Sequence, residues 1–422
     1  MKLNKYKLGE LVEVTRGASL SGQFYAEEGE LIRLTLGNFN MNGGGFKENT
    51  SKTDLYYTGT VKDEFILNKG DIITPLTEQS LGLLGTTARI PESGKYIQSQ
   101  DVALVKCKEG LLDPNFCYYL ISSSVVRQQL SAGAQQTKIR HTSPDKIKDC
   151  TVWMPDLEEQ KRIGRILIDI DEKITLNRQI NDNLEEQLRL ITSHYIFCSP
   201  NLEKKRIGDI AMVKAGGDCP IIFSKTRTQE CNIPIFSNGT ENRGLYGFTD
   251  KAAIEERSIT VAARGTIGYC ERRLKPFVPI IRLLAITPKD EGAYIYLHQV
   301  IKGMKFKKNG SVQQQLTVPE ISFIEIPYPN SSVLSEYNKL ANPIVEMIER
   351  NISENESLTK QRDELLPLLM NGQASVNYHL SLHLPILCFI LLEVENTKNY
   401  DWRRRQDQEA CSQSSYTARR GK

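Results

Sequence analysis

The chain has 422 residues, of which 40% are hydrophobic and 25% charged, and its formal net charge at pH 7 is +3. This length and composition predict two to three folded domains, and so small a charge gives no argument by itself for binding nucleic acid. The nine cysteines contain no CxxC pair, and no apolar run approaches the ~18 residues of a membrane helix. A disulfide framework, a zinc cluster, secretion and membrane insertion are therefore not expected, and a cytoplasmic location is.

Residues 1–154 are predicted to form a first α+β domain. An apolar stretch at 116–126 has helical spacing, and Gly-rich loops separate the strand-like runs. These runs, rich in apolar and β-branched residues, lie at 31–36, 65–67, 71–74, 102–106 and 151–154.

A long heptad helix is predicted at 156–197, inside a spacer at 155–200. Asp156 with Glu159 three residues later forms a capping box for its start. Its core positions alternate in steps of four and three, the a/d seam of a coiled coil. The seam is Ile163, Leu167, Ile170, Ile174, Asn177, Asn181, Leu184, Leu188, Ile191 and Tyr195.

A second globular domain is predicted at 201–328. The pattern Ile-Gly-Asp-Ile at 207–210 repeats the pattern Leu-Gly-Glu-Leu at 8–11, so the domain is duplicated. A helix is predicted at 293–303, and strands are predicted at 233–236, 258–263, 280–286 and 323–327.

A second spacer is predicted at 329–375, with a helix at 330–371 that Asn330 caps. Pro343 predicts a helix start or kink, since an interior proline removes a backbone hydrogen bond. Adding 174 to each seam position gives, without a gap, Tyr337, Ala341, Ile344, Ile348, Asn351, Asn355, Leu358, Arg362, Leu365 and Leu369. This ungapped copy favours paired helices over the alternative of two amphipathic helices in separate cores.

Asparagines occupy consecutive core layers at the middle of both seams. A buried amide pairs best with another amide, which fixes the register of a helix pair. In an antiparallel pairing the two midpoints face each other. We therefore predict antiparallel helices in which Asn177, Asn181, Asn351 and Asn355 meet.

The order of domain, long helix, domain, long helix resembles the specificity subunit of type I restriction–modification systems. The stretch ENESLTKQRDELLPLLMNGQ at 354–373 resembles the end of that family's distal helix. FSNGTENRGLYGFTD at 236–250 and ITVAARGTIGYCERRLKPF at 259–277 resemble its recognition domains. The resemblance implies an α+β protein with two tandem, pseudo-symmetric target-recognition domains separated by two long antiparallel coiled-coil helices. The tail at 376–422 departs from the family, and its composition predicts partial disorder.

The resemblance also implies partners. Each domain would read one half of a bipartite site in double-stranded DNA, and the helices would set the spacing and dock two methyltransferase subunits. S-adenosylmethionine, ATP and Mg²⁺ would belong to those subunits and to restriction subunits that translocate DNA. The chain itself has no GxxxxGK[ST] motif and no recognisable catalytic or metal-binding constellation. Two alternatives stay open: a nuclease or methyltransferase with an unrecognised site, and a coiled-coil scaffold that does not bind DNA.

Reading a base sequence requires forked donors, with Arg suited to guanine and Asn or Gln to adenine. Such side chains are frequent on the predicted loops of both domains. In the first domain the candidates are Arg16, Lys47, Lys52, Gln79, Gln98, Gln100, Gln135, Gln136, Lys138, Arg140 and His141. In the second domain they are Asn238, Thr240, Asn242, Arg243, Arg264, Lys307, Lys308, Gln313, Gln314 and Gln315.

Two similar polar stretches strengthen this prediction. Gly-Ala-Gln-Gln-Thr-Lys at 133–138 and Gly-Ser-Val-Gln-Gln-Gln at 310–315 precede the two spacers at matching places. We predict that Arg243 and Gln314 read base edges and that Lys307 and Lys308 neutralise phosphates.

Overall fold

The computed structural model describes residues 2–40, 44–78, 82–133, 140–198, 202–306 and 315–374. Across these ranges no helix is both long enough and apolar enough to span a bilayer. The chain divides into two compact units, residues 1–174 with 356–422 and residues 175–355. Because this division splits both long helices, the predicted limits of the globular domains and spacers stay a prediction.

The first half of the chain contains short strands and helices followed by one long helix. In order these are β1 (Asn4–Lys7), α1 (Leu8–Leu11), β2 (Val12–Arg16), β3 (Tyr25–Ala26), β4 (Ile32–Arg33), β5 (Tyr56–Tyr57), β6 (Ile72–Pro75), β7 (Thr77–Glu78), β8 (Ala88–Arg89), β9 (Tyr96–Ile97), β10 (Val102–Cys107), α2 (Pro114–Ser122), α3 (Ser124–Gly133), β11 (Arg140–His141), α4 (Pro144–Lys148), β12 (Thr151–Met154) and α5 (Leu157–Cys198).

The second half repeats this plan. Its elements are β13 (Glu203–Arg206), α6 (Ile207–Ile210), β14 (Ala211–Ala215), β15 (Ile233–Phe236), β16 (Leu245–Thr249), β17 (Ser258–Val261), β18 (Cys270–Arg273), β19 (Val278–Pro279), β20 (Leu284–Pro288), α7 (Tyr294–Lys302), α8 (Val318–Ser322), β21 (Glu325–Tyr328) and α9 (Ser331–Met370).

In the first unit an antiparallel sheet of order β2-β10-β6-β8 carries one face of the core, and a second sheet has the order β3-β5-β4-β9. Within the second sheet β4 and β9 are parallel. Ile72 and Val105 of the first sheet are buried together with Phe116 of α2 and Leu167 of α5. The first part of the long helix is thus an integral part of this unit's core.

The second unit has the matching sheet, of order β14-β20-β17-β18, and a smaller sheet of order β16-β15-β19. Here β15 and β19 are parallel. Its core joins Ile259 and Ile286 of the larger sheet to Tyr296 of α7, Leu188 of α5 and Tyr337 of α9. Both units therefore close their cores with the seams of the long helices.

Two glycines show the duplication in the backbone. Gly17 follows β2 and Gly216 follows β14, at the same offset of 199 residues that relates Gly9 to Gly208. A Cβ atom at Gly17 would lie 2.2 Å from the backbone oxygen of Gln98, and one at Gly216 would lie 2.6 Å from the backbone of Pro279. Only glycine permits this close approach of two chain segments.

In the second unit α5 and α9 pair antiparallel, as predicted. Asn177 Nδ2 donates to Asn355 Oδ1 over 2.9 Å, and Asn351 Nδ2 donates to Asn181 Oδ1 over 2.8 Å. Further along, the hydroxyls of Thr192 and Tyr337 are 2.9 Å apart. Because the partner number falls as the α5 number rises, the direction is antiparallel. The predicted meeting of all four seam amides is confirmed.

In the first unit the seam is mostly apolar. Ile163, Leu167, Leu365 and Leu369 are buried in one cluster. Arg362 is the exception, and its guanidinium donates to the Asp171 carboxylate over 2.7 Å. This ion pair lets an arginine occupy a core position, since a buried charge requires a partner.

Several predicted elements differ from the structure. In the run 31–36 only Ile32–Arg33 is a strand, and a 3₁₀ turn begins at Leu36. The run 65–67 is not a strand, because a 3₁₀ turn at Asp63–Phe65 precedes an extended segment that pairs only by an isolated bridge from Ile66 to Ile97. The stretch 116–126 is divided between α2 and α3 at Ser123. Strand β20 begins at Leu284 rather than 280, since a tight turn occupies 280–283.

The helix termini follow the predicted caps. The Glu159 amide donates to Asp156 Oδ1 and the Val333 amide donates to Asn330 Oδ1, each over 3.0 Å. The alternative start at Pro343 is wrong, because α9 begins at Ser331 and runs past it. Pro343 is exposed, and so is Lys339, whose carbonyl loses its helical donor there.

Candidate functional site

In the second unit several loops meet at one edge of the small sheet. Strands β15 and β19 are parallel, with Phe236 beside Pro279, so the segments that follow them leave the sheet together. The segment after β17 joins them, because the Ala263 amide donates to Asn238 Oδ1 over 2.7 Å. We call the resulting surface, residues 216–217, 237–239, 262–266, 280–283 and 315–316, the loop edge.

Asn238 holds the loop edge together. Its Nδ2 donates to the Ile281 carbonyl over 2.7 Å, while its Oδ1 accepts from Ala263. Both ends of the amide are therefore occupied by the backbone. These contacts argue against the prediction that Asn238 reads a base, and give it the role of positioning two loops.

Arg264 and Gln315, both predicted DNA contacts, are brought together at this surface. Gln315 Oε1 accepts from Arg264 Nη2 over 2.7 Å, and the Leu316 amide donates to the Ala263 carbonyl over 3.0 Å. Arg264 is exposed, and Gln315 is half-buried. A solvent-accessible guanidinium steadied by an amide can donate to a base edge or a phosphate.

Arg243 has a different environment. Its backbone is left-handed at φ 57°, and its guanidinium contacts Glu271 at 2.7 Å and Glu349 at 3.4 Å. Burial lowers the pKa of Arg243, but the two carboxylates outweigh burial and raise it above its ordinary value. Because Nε, Nη1 and Nη2 all donate to groups of the protein, these contacts contradict the prediction that Arg243 reads a base. Thr240 and Asn242, which precede it, are exposed.

A buried ion cluster lies next to Arg243, and sequence reasoning missed it. Arg272 on β18, whose side chain is 4% exposed, pairs with Glu185 on α5 and with Glu349 on α9 at 3.6 Å. Lys302 Nζ adds a 2.8 Å contact to Glu185. Burial raises the pKa of Glu185, but Arg272 and Lys302 outweigh it and hold that pKa at about 2. The cluster fastens the larger sheet to both helices around a cavity of about 190 Å³.

His298 on α7 is the titratable member of this cluster. It is fully buried, and its Nδ1 lies 3.3 Å from Arg272 Nη1. Because the guanidinium can only donate, Nδ1 accepts and the ring is neutral. Burial, and then the charge of Arg272, lower the pKa of His298 well below its ordinary value.

This environment predicts a pH-dependent stability. Below pH ~6.5 the unfolded chain gains a proton at residue 298 that the folded chain does not bind, so the free energy of unfolding falls as pH falls, by up to ~1.4 kcal/mol per pH unit. Urea unfolding measures the free energy of unfolding at several pH values between 7 and 5. This free energy should depend less steeply on pH for His298→Gln than for the wild type. His194→Gln, at an exposed histidine of α5, is the control and should keep the wild-type slope. Equal slopes for all three proteins would contradict the assignment.

The first unit also places several candidates in structural roles. Gln98 is 1% exposed, and its Nε2 donates to the carbonyls of Thr15 and Val102. Arg140 pairs with the buried carboxylate of Glu78 at 3.1 Å. The prediction that Gln98 contacts DNA is thus contradicted by its burial, and Arg140 already has an internal partner.

Other candidates of the first unit remain accessible. Arg16 is exposed, and its Nε donates to the Gln100 carbonyl over 3.0 Å. The side chains of Lys47, Lys52, Gln100 and His141 are exposed as well. The remaining candidates lie outside the described residues: Gln79, Gln135, Gln136, Lys138, Lys307, Lys308, Gln313 and Gln314.

Sequence reasoning also missed two exposed residues of the loop edge, Ile281 and Arg282, which we call its tip. Ile281 is 48% exposed and Arg282 is exposed, between the buried residues Ile280 and Leu283. An apolar run was the only signal here, and it predicted a continuous strand. Within the described ranges, no group of three His, Cys, Asp or Glu side chains is placed to hold a metal ion.

Comparisons with known proteins identify relatives along most of the chain. A family model for the type I restriction modification DNA specificity domain matches residues 2–186 and 200–365. A Mycoplasma pneumoniae protein assigned as a type I specificity subunit is 24% identical over 362 residues, covering 82% of this chain and 90% of the relative. The specificity subunit of the type I restriction enzyme HindI from Haemophilus influenzae is 22% identical, covering 66% of this chain and 81% of the relative. The crystal structure of a type I restriction–modification S subunit from M. genitalium has the same fold, with a TM-score of 0.55, 19% identity, and coverage of 88% and 96%.

Proposed function

We propose a function from one premise: the chain belongs to the family of type I restriction–modification DNA specificity subunits and carries two tandem specificity domains. Each domain reads one half of a bipartite duplex target. Domain 1 is residues 1–154 and domain 2 is residues 201–328. The chain recognises DNA, and the methylation and cleavage chemistry belongs to partner subunits. The cytoplasmic location stays a prediction.

The observation that carries this proposal is the duplicated scaffold. Each unit has the same four-stranded sheet and the same parallel strand pair. Each also has a glycine that allows a neighbouring segment to approach the strand pair closely. The exposed side chains at the corresponding surfaces differ, however, with Gln100 in one unit and Ile281 with Arg282 in the other. Two similar scaffolds with different surfaces suit the reading of two different half-sites.

The long helices would set the distance between the half-sites and bind methyltransferase subunits. With 42 and 40 residues, α5 and α9 each extend roughly 60 Å. Their seams leave apolar residues on other faces: Leu176, Leu190, Leu340 and Met347 are between 40% and 54% exposed. Exposed apolar surface on a helix favours a partner. We propose two methyltransferase subunits that use S-adenosylmethionine, joined by restriction subunits that use ATP and Mg²⁺.

A domain exchange tests the proposal. The chain with residues 1–154 replaced by the equivalent part of a relative, co-expressed with its methyltransferase, should methylate a target in which only one half has changed. The reason is that each domain has its own core and its own exposed loops. Methylome sequencing of the host reads both halves directly.

The reciprocal exchange of residues 201–328 is the matched control and should change only the other half. Methylation with both halves altered by a single exchange would contradict modular reading. Methylation at an unchanged target after either exchange would show that the exchanged domain does not read DNA.

A further inference from the structure

The turn at Ile280–Leu283 holds two non-glycine residues in the left-handed region. Ile281 has φ 53° and Arg282 has φ 60°, and the Leu283 amide donates to the Ile280 carbonyl over 3.0 Å. A turn of this kind ordinarily uses Asn-Gly or Gly-Gly, because a β-branched residue at positive φ is strained. Isoleucine is therefore an unfavourable choice for folding at this position.

The surroundings of the turn impose this conformation. The amides of Ile281 and Arg282 donate to the carbonyls of Gly217 and Gly216 over 2.8 Å and 3.0 Å, and Asn238 binds the Ile281 carbonyl. The backbone is fixed while both side chains project from the loop edge. An exposed residue that its surroundings hold in a strained conformation is typical of functional sites.

A turn at the equivalent place in the first unit has other residues at its tip, and neither of them has a positive φ. Ser99 and Ile280 make equivalent parallel bridges, to Ala18 and Gly217 respectively. The Val102 amide donates to the Ser99 carbonyl over 3.0 Å, which places Gln100 where the second unit has Ile281.

In each unit a side chain that is distant in the sequence donates a hydrogen bond to the carbonyl of the first tip residue. Arg16 Nε binds the Gln100 carbonyl as Asn238 Nδ2 binds the Ile281 carbonyl. The fold therefore presents a dipeptide at one fixed place in each unit: Gln100-Asp101 in the first and Ile281-Arg282 in the second.

Building on the proposed function, we propose that this tip is the base-reading element of each specificity domain. Arg282 donates to a base edge in the major groove, for which guanine is the preferred acceptor, and Ile281 contacts an apolar base substituent such as the thymine methyl group. Gln100 does the same in the first domain, where an amide suits adenine. The unfavourable isoleucine is kept because its side chain contacts DNA.

Replacing Ile281 with glycine separates this role from a structural one. Glycine adopts φ 53° without strain, so the thermal unfolding temperature of Ile281→Gly should be unchanged or higher. Its selectivity should nevertheless fall, because the contacting side chain is gone. A residue with only a structural role would lose stability and binding together.

The target duplex for these measurements is first identified with the wild-type protein. The full chain, assembled with its methyltransferase, selects duplexes from a library with a randomised central segment, and sequencing of the bound fraction gives the consensus. Binding of each variant is then titrated against the consensus duplex and a scrambled duplex at several salt concentrations. Arg282→Ala should lower the ratio of the two affinities by about tenfold, since one good base contact contributes that much discrimination.

Arg257→Ala is the matched control. Arg257 precedes β17, at the opposite end of that strand from the loop edge, and its exposed side chain pairs with Glu291 at 3.6 Å. This variant should keep the wild-type ratio. In a repeat selection, the Arg282→Ala and Ile281→Gly proteins should relax one half of the consensus and retain the other.

The outcomes distinguish this inference from the proposed function. If the wild type selects no consensus, the proposed function fails, and the inference with it. If it selects a bipartite consensus that both tip variants also select with unchanged ratios, only the tip assignment fails. Equal losses on consensus and scrambled duplexes for Arg282→Ala, with a shallower salt dependence, would make Arg282 a phosphate contact and overturn its role as a reader.

Discussion

Replacing Arg272 with methionine is expected to destabilise the second unit by ~3–5 kcal/mol, because it leaves two poorly solvated carboxylates without their shared cation. The side chain of Arg272 is 4% exposed, and those of Glu185 and Glu349 are 23% and 20% exposed. Lys302 still contacts Glu185 at 2.8 Å and Arg243 still contacts Glu349 at 3.4 Å, but both carboxylates lose the cation that lies between them. The removal of one buried partner thus affects a carboxylate on each long helix.

Urea unfolding of the full chain measures this effect, followed by a probe placed in the second unit. Arg257→Met removes an exposed arginine of the same unit and should change the free energy of unfolding by no more than ~0.5 kcal/mol. The double variant Arg272→Met with Glu185→Gln should recover part of the loss, because it removes one of the two carboxylates that lost Arg272. A loss below ~1 kcal/mol for Arg272→Met would show that the cluster is solvated and weak.

The helical part of the fold could be predicted from the sequence because its signal is local and periodic. The heptad pattern gives the seam positions, and the amides at 177, 181, 351 and 355 select the antiparallel register. Both features depend on spacing along one helix and on a pairing rule for amides. The short strands, by contrast, depend on neighbours far away in the chain, and the run at 65–67 was therefore misassigned.

The loop residues show where sequence reasoning ends. Arg243, Asn238 and Gln98 have the donors that DNA recognition needs, yet the structure uses them inside the protein. A polar side chain on a loop can bind a ligand or its own backbone, and only the tertiary contacts separate the two. Arg264 and Gln315 were predicted separately, whereas their contact with each other depends on the packing of two distant segments.

The strained turn was not predicted because its sequence gives no sign of an exposed loop. Ile280–Leu283 belongs to an apolar run, and apolar runs of this length predict a strand. The left-handed backbone is imposed by Gly216, Gly217 and Asn238, whose contacts with the turn span 43 to 66 residues of the chain. Where local preference and tertiary structure disagree in this way, function is a common reason.

The last prediction concerns two leucines on α5 with opposite exposures. Leu188 is fully buried against the core of the second unit, and Leu190, two residues later, is 54% exposed. Leu188→Ala is expected to cost ~2–5 kcal/mol, since it removes buried methyl groups and leaves a cavity in the helix pair. Leu190→Ala should change stability by no more than ~0.5 kcal/mol. Urea unfolding of the two alanine variants, made in the same background, provides the comparison.

The proposed methyltransferase contact predicts that a change at the exposed residue Leu190 weakens methyltransferase binding although it leaves stability unchanged. Leu190→Asp introduces a charge into the exposed apolar face of α5 without changing the seam, so the variant should fold normally and co-purify with less methyltransferase than the wild type. Ile180→Asp, at a half-buried position of the same helix outside the seam, should act in the same direction. Asp182→Ala, at an exposed polar position of α5, should co-purify normally. An unchanged complex after both aspartate substitutions would exclude this face as the docking surface, while a stability loss for Leu190→Ala equal to that of Leu188→Ala would show that the seam was assigned incorrectly.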